Sequence, residues 1–484
     1  MKNDRVPSLA RGLVVVFLAL VPFRILAQGY LPGDDALRHA AKAVSGKPWS
    51  EVLVLRPEVT MDSHPGWHAL LGLVHRAAGV DAPGLVAFSV ALGLLALLLP
   101  GAFLLRRPEA WALALAAFAT LEPRIPNRFI SGRPFVLSVA LLVFLCLRVA
   151  REPGPPVPDA QRRWRGLLVL TVLFGLVAWM HPSWHLFLLP VAACLLARRF
   201  RLAATLAAGL GAGVLVAGVL HGDVIEFVQQ SVLHTVLALG LPSPASTLAI
   251  EFLPGDGSPS LLLGLAALLL WRAVRGAWKR EAVSGPVFVL AVLGWLLGFL
   301  VIRFWSDWGG PAVLAWMAVE LEEALESHVP ERSTGRLGLA AVAGLAAFLV
   351  WTSNTRGQRL QPAERPYQSL AAPAAAPALP GPGGILYTDD MRLFFELFFA
   401  RPQASWRYVV GYEPGLMRAD DLATFRCVLA SRTPASFEPW VRKMGPADRL
   451  VLKSTEGPPP IPGLEWTQVS QTVWSGRKAG VAAR

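Results

Sequence analysis

Charge is scarce in this chain: Asp, Glu, Lys and Arg make up only 16% of its 484 residues, against about one-quarter in a soluble domain. Cysteine is scarcer. The three present (Cys146, Cys194, Cys427) form no CxxC pair, which excludes a disulfide scaffold and a CxxC metal centre. There is no Walker loop, strand-linked GxGxxG, HExxH or GxSxG, so the soluble-enzyme chemistries built on those motifs are also excluded. No internal repeat is present.

What the chain has in abundance is apolar sequence, at 54% hydrophobic residues with a mean hydropathy of +0.48. Eleven apolar runs are candidate membrane spans, at 12–28, 84–105, 108–122, 134–148, 166–180, 183–198, 202–220, 259–272, 285–302, 311–327 and 337–352. Several are shorter than the roughly 20 residues of a perpendicular span, so tilted or broken helices are expected. The first is expected to stay uncleaved although Ile25-Leu26-Ala27 mimics a signal-peptide site.

The net charge of +12 does not call for nucleic acid once the cations are located. With the N-terminus in the cytoplasm, the inside loops hold clusters such as Arg106-Arg107, Arg162-Arg163, Arg198-Arg199 and Lys279-Arg280. The outer loops after the first hold only Arg124, Arg128, Arg133 and Arg303, and none lies between Leu220 and Ser258. This is the positive-inside pattern. An alanine- and arginine-rich, lysine-poor composition points to a GC-rich bacterium and so to its inner membrane, with the C-terminal region periplasmic.

The expected architecture is an all-α polytopic membrane domain of about eleven helices over 1–352, a Pro/Ala-rich extended linker over 353–384 and a small soluble α/β domain over 385–484. In the last, Ile385–Tyr387, Trp406–Val410, Leu450–Leu452 and Gln468–Trp474 are expected as strands, and Asp390–Ala400 as a helix.

Polar chemistry gathers in the first outer loop, 28–81. Two interfacial helices are expected there, one opening at Asp34-Asp35 and one at Pro65–Ala78. Asp34 and Asp35 are suited to capping the first helix; alternatively one is a general base whose pKa is raised by the other. Asp35 and His39, four apart, share a helix face as a base–orienter pair or as two ligands of a divalent cation such as Mg or Mn, which Asp62, His64 and His68 would complete.

The outer cations are either snorkelling span ends or a phosphate site, since guanidinium groups hold phosphate bidentately. Arg303 ranks first and Arg133 second, ahead of Arg124 and Arg128, with Asp307 a competing partner for Arg303. His181-Pro182-Ser183-Trp184-His185 is either a plain turn or a place where His181 and His185 contact sugar or phosphate. The cation-free segment 221–259, carrying Asp223, Glu226, His234 and Glu251, has the character of a lid. Glu320, Glu322, Glu323 and Glu326 are expected where the tenth helix leaves the bilayer. Asp389-Asp390 is expected as a helix cap, and Trp406, Tyr408 and Tyr412 as exposed rings that stack on sugars.

Gly33-Asp34-Asp35 after the first span, Ser131-Gly132-Arg133-Pro134 opening the fourth and Arg303-Phe304 leaving the ninth, within this architecture, resemble the GT-C glycosyltransferases. These include the oligosaccharyltransferase catalytic subunit, the protein O-mannosyltransferases and the lipid A aminoarabinose transferase. The resemblance implies inverting transfer from a polyprenyl-phosphate-linked sugar donor to a lipid, glycan or protein acceptor. In it the first-loop carboxylate, matched by Asp35 or Asp34, acts on the acceptor hydroxyl, and Arg303 matches a late-helix arginine. No WWD-type signature is present, which argues against oligosaccharide transfer to asparagine. A transporter or flippase for a lipid-linked or anionic substrate, and a non-catalytic scaffold, are the competing readings; span centres nearly free of charge and the lack of repeats count against transport.

Overall fold

A computed structural model describes residues 5–151, 160–238, 253–274, 283–353 and 366–480. Lys2, Arg275, Lys279, Arg280, Glu251 and the first half of the expected linker lie outside the described residues, as do the side chains of Arg162 and Arg163. The chain forms two compact units. One comprises residues 1–30, 87–225 and 249–361; the other comprises 31–86, 226–248 and 362–484.

In the first unit all eleven apolar runs are helical. Among the described residues, Val6–Ala27, Ala82–Leu104, Phe200–His221 and Thr334–Ser353 are long and apolar enough to cross a bilayer. Pro108–Leu121, Phe135–Ala150, Trp164–Met180, Pro182–Leu196, Pro259–Val274 and Pro286–Gly298 are shorter apolar helices. The run at 183–198 opens as a 3-10 helix, Pro182–Phe187, before Leu188–Leu196 becomes α-helical.

The first helix shows why these segments want lipid. Val6, Ala10, Val14, Leu18, Val21 and Ile25 are buried along one face, while Leu9, Leu13, Val16, Leu20 and Phe23 are exposed along the other. An apolar stripe on the outside of an already packed helix is unfavourable in water and favourable in hydrocarbon.

The loops sort into two groups, as the charge pattern predicts. At one end Arg272 pairs with Glu320 (2.6 Å) and Glu323 (3.0 Å). Arg336 pairs with Glu109 (2.8 Å), both wholly buried, and Arg151 pairs with Glu322 (3.4 Å). Glu322 also accepts from the backbone N–H of Arg106 and Arg107. The acids of the Gly310–His328 helix are therefore partners of arginines from three of the loops expected on that side. Loops expected on the other side supply the arginine site described below.

Glycine permits the closest approach in this unit. A Cβ on Gly294 would lie 2.4 Å from the Cα and 2.5 Å from the N of Gly309, and one on Gly298 would lie 2.7 Å from the Trp305 Cβ. The Pro286–Gly298 helix thus lies directly on the π-helical turn Trp305–Gly309, the small-residue packing favoured in membranes.

The second unit carries a five-stranded mixed sheet, ordered β2-β1-β3-β5-β4. Its strands are β1 (Ile385–Tyr387), β2 (Arg407–Tyr408), β3 (Arg449–Lys453), β4 (Leu464–Gln468) and β5 (Val473–Lys478). β1 runs parallel to β2 and β3, and the β3–β5 and β4–β5 pairs are antiparallel. Gln468–Trp474, expected as one strand, instead holds the end of β4, the turn at 469–472 and the start of β5. Its Val469 N–H returns to the Val473 carbonyl (2.9 Å).

Residues of the first outer loop belong to this unit rather than to the helical one. Val54 N–H donates to the Tyr408 carbonyl (2.9 Å), and Leu53 and Leu55 form bridges to Tyr408 and Met417 that extend the β2 edge. Within the Pro/Ala-rich stretch, Pro373–Ala378 is a 3-10 helix with Ala375 and Ala378 buried. The segment after His221 is not a loop where described: Val224–Ala238 is helical. Trp406, Tyr408 and Tyr412, expected to be exposed, are buried, because the first loop covers the edge on which they stand.

Gly294→Ala is expected to cost about 1–3 kcal/mol, the usual penalty of overpacking a tight contact. Thermal unfolding of the detergent-solubilised chain measures it, and an unchanged midpoint would refute the backbone contact with Gly309.

Candidate functional site

Each unit carries a cluster that gathers residues singled out in the sequence. In the second unit, Asp34 caps the Asp35–Ser45 helix, its side chain accepting from the Ala36 N–H. Asp35 is bound to Arg38 (2.7 Å), one residue nearer along the helix than the expected His39. The Arg38 guanidinium is buried and lies 3.8 Å from the Tyr412 ring centroid, with its Nη1 unpaired among the described residues. Sequence reasoning passed over Arg38 and placed Tyr412 among exposed sugar-stacking rings. The i,i+3 spacing of Asp35 and Arg38 was the available signal.

His39 takes a different partner. Its Nδ1 is 2.8 Å from Nε2 of His68, and Nδ1 of His68 is 2.5 Å from the Asp62 carboxylate. Asp62 also accepts from the His64 backbone N–H (3.0 Å). The His64 ring packs edge-on to His39 at 4.8 Å and bonds the Ser63 hydroxyl (2.8 Å). Burial alone would raise the Asp62 carboxyl; the His68 imidazole, the His64 N–H and Lys42 outweigh it and hold the group well below the carboxylate range. Burial pushes His68 down, and Lys42 and Arg38 add to this. His234, reached from the Val224–Ala238 helix, is lowered to about 4, mainly by burial.

These donors do not make the expected cation site. Among the described residues no group of three or more His, Cys, Asp or Glu is disposed to hold a metal ion. Asp62 and the facing nitrogens of His39 and His68 are turned on one another.

In the first unit, Arg128 binds Asp307 through Nε (2.7 Å) and Nη2 (3.1 Å). Arg303 binds the same carboxylate through Nε (3.2 Å). The Arg128 guanidinium lies 4.6 Å from the Phe135 ring centroid, and that ring is 6.4 Å from His181. His181 is buried in the turn between two helices; burial, then Arg303, lower it to about 3, so it is neutral. Arg124 stands apart, paired with Asp256 (2.5 Å) and more distantly with Glu122 (3.9 Å). Arg133 is half-buried beside Pro134, which caps the Phe135–Ala150 helix. His185 lies in the Pro182–Phe187 turn, its ring edge-on to Trp184 at 5.7 Å.

Two guanidinium groups converge on one carboxylate, and guanidinium groups are the side chains that hold phosphate bidentately. Of the four outer arginines, Arg128 and Arg303 come together, whereas sequence reasoning ranked Arg133 above Arg128.

Comparison of the whole chain supplies the fold. A crystal structure of ArnT from Cupriavidus metallidurans bound to undecaprenyl phosphate matches with a TM-score of 0.58 at 17% identity, covering 98% of this chain and 99% of that one. The apo ArnT structure matches with a TM-score of 0.59 over the same shares and identity. The chain therefore shares the ArnT fold over nearly its full length. No family model and no curated protein matches its sequence.

Asp307→Ala is expected to destabilise the helical unit by about 1–3 kcal/mol, because it strands two partly buried guanidinium groups. Arg303→Ala leaves the Arg128–Asp307 pair and is expected to melt near wild type. Equal losses in the two variants would show that Asp307 is not the shared anchor.

Proposed function

We propose that the chain is an integral-membrane glycosyltransferase of the GT-C class. It moves a sugar from a polyprenyl-phosphate donor to an envelope acceptor at the periplasmic face of a bacterial inner membrane. The observation that carries this reading is the meeting of Arg128 and Arg303 on Asp307 in a chain whose fold is that of a protein crystallised with undecaprenyl phosphate.

The chemistry is an inverting displacement. The acceptor hydroxyl oxygen bonds to the anomeric carbon as the bond from that carbon to the phosphate oxygen breaks. The polyprenyl phosphate leaves with the electron pair, its charge stabilised by Arg303 and Arg128. Asp35, oriented by Arg38, accepts the hydroxyl proton; Asp34 is occupied as the helix cap, which favours Asp35 of the two. Neutral His181 offers a hydrogen bond to the same phosphate without adding charge.

The positive-inside pattern supports a cytoplasmic N-terminus and a periplasmic sheet domain. The cysteine of Ala400→Cys is then expected to label with an impermeant maleimide in spheroplasts. Labelling only after permeabilisation would invert the topology.

Asp35→Asn is expected to lower transfer about 10²–10⁴-fold, the usual range for a general base, with membrane insertion intact. Arg303→Ala is expected to raise the donor KM about tenfold with smaller effect on acceptor use. Mass spectrometry of envelope glycans in a complemented deletion strain provides the readout. If Asp35→Asn restores the glycan as well as wild type does, the transferase reading fails and transport of the lipid-linked sugar becomes the better account.

A further inference from the structure

We infer that Tyr412, which follows β2 in the sheet-bearing unit, is a positioning residue for Asp35 and acts on it through Arg38. This rests on the transferase reading above.

The contacts form a short stack. Arg38 donates from Nε to the Asp35 carboxylate at 2.7 Å. Its guanidinium centre lies 3.8 Å from the Tyr412 ring centroid and 5.9 Å from that of Trp49, and the two rings pack on one another at 5.0 Å. A guanidinium on an aromatic face is attracted by the ring quadrupole, most strongly where water is excluded. Here Arg38, Trp49 and Tyr412 are all buried. Nη1 of Arg38 has no hydrogen-bond partner among the described residues, so hydrogen bonds leave part of the group unanchored and the ring face supplies the hold. Burial pushes the Tyr412 hydroxyl up, against the pull of Arg38. The ring therefore stays neutral and does not compete with Asp35 as a second anion.

Tyr412 is itself firmly placed, because its segment is tied to the first outer loop on both sides. Before it, the Val54 N–H donates to the Tyr408 carbonyl (2.9 Å). After it, the Arg56 N–H donates to the Leu416 carbonyl (3.0 Å) and the Arg56 Nε to that of Met417 (3.2 Å). A Cβ on Gly411 would lie 2.9 Å from the Leu53 side chain, so glycine there lets loop and segment close together. Asp35 and Arg38 stand on the first helix of the loop, whereas the ring beneath Arg38 comes from the sheet domain. That domain thus supplies one wall of the support for the base. An arginine free to swing would let the angle between Asp35 and the acceptor hydroxyl wander, and such misplacement costs rate more than binding.

The test begins without substrate. Arginine-labelled full-length protein in nanodiscs is examined by NMR, with Arg38 assigned from the Arg38→Lys spectrum. Ring current from Tyr412 is expected to shift the Arg38 guanidinium upfield in wild type and in Tyr412→Phe, and the shift is expected to vanish in Tyr412→Leu. An unshifted Arg38 in wild type overturns the proposal, whether or not Tyr412→Leu folds.

Turnover then reads the consequence. With a polyprenyl-phosphate-linked sugar as donor, Tyr412→Leu is expected to lower kcat about tenfold at unchanged donor KM, and Tyr412→Phe to recover most of the loss. In an Arg38→Leu background, Tyr412→Leu is expected to cost little more, since residues acting through one another are not additive. Additive losses overturn the proposal, as does a Tyr412→Phe loss as large as that of Tyr412→Leu. Wild-type protein with a shifted Arg38 but no transferase activity would refute the transferase reading, and the positioning role with it, while leaving the stack standing. Active protein with an unshifted Arg38 would refute the role of Tyr412 alone.

Discussion

A charge inside an apolar helical bundle must be paired, and that constraint shapes the helical unit of this protein. Its charged side chains gather where loops meet, and there arginine after arginine finds a carboxylate on another helix. Arg336 and Glu109 make the point at its limit, since both are wholly buried. Removing either would leave an uncompensated ion in a medium of low dielectric. Asp307 meets the same constraint differently. One carboxylate serves both Arg128 and Arg303, so cations from two separate helices are joined at a single point.

The π-helical turn Trp305–Gly309 is what makes that sharing feasible. It presents Asp307 four residues after Arg303, within reach of a guanidinium carried by a distant helix. The turn is held from behind by the Gly294–Gly309 approach, in which neither backbone tolerates a Cβ. Sequence, packing and electrostatics therefore converge on one short segment, Arg303 to Gly310. A wide π turn in a helix is a recurrent feature of functional sites.

Much of this was legible in the sequence, and the division between legible and hidden is physical. Hydropathy is a local property, so the apolar runs mark the helices to within a few residues, apart from the 3-10 opening at Pro182. Charge sign per loop is also local, and it sorted the loops into groups whose members do meet. Pairings across hundreds of residues leave no such trace. The Leu53–Tyr408 bridge is one, and with the packing of Tyr408 on Phe394 and of Tyr412 on Trp49 it turns apparent sugar platforms into buried structure. The β4–β5 hairpin was hidden because Gln468–Trp474 has the composition of a strand while its backbone doubles back at Ser470.

The same division runs through the two polar clusters. Asp35, Arg38, His39, Asp62, His64 and His68 fall within a few dozen residues, and the sequence singled out all but Arg38. What it mispaired was the order of contacts: i,i+4 spacing joins Asp35 to His39, whereas the folded helix gives Asp35 to Arg38 and turns His39 toward His68. That exchange changes the chemistry. A histidine bonded directly to Asp35 would serve to orient it, whereas His39 is tied through His68 to the buried Asp62 carboxylate. The arginine cluster shows the converse, since Arg128 and Asp307 lie 179 residues apart and no spacing rule joins them. Only their shared departure from the positive-inside pattern marked Arg128 and Arg303 as related. A cation on the sparsely charged side of a membrane protein must have a reason to be there, and Arg128 and Arg303 have the Asp307 carboxylate in common.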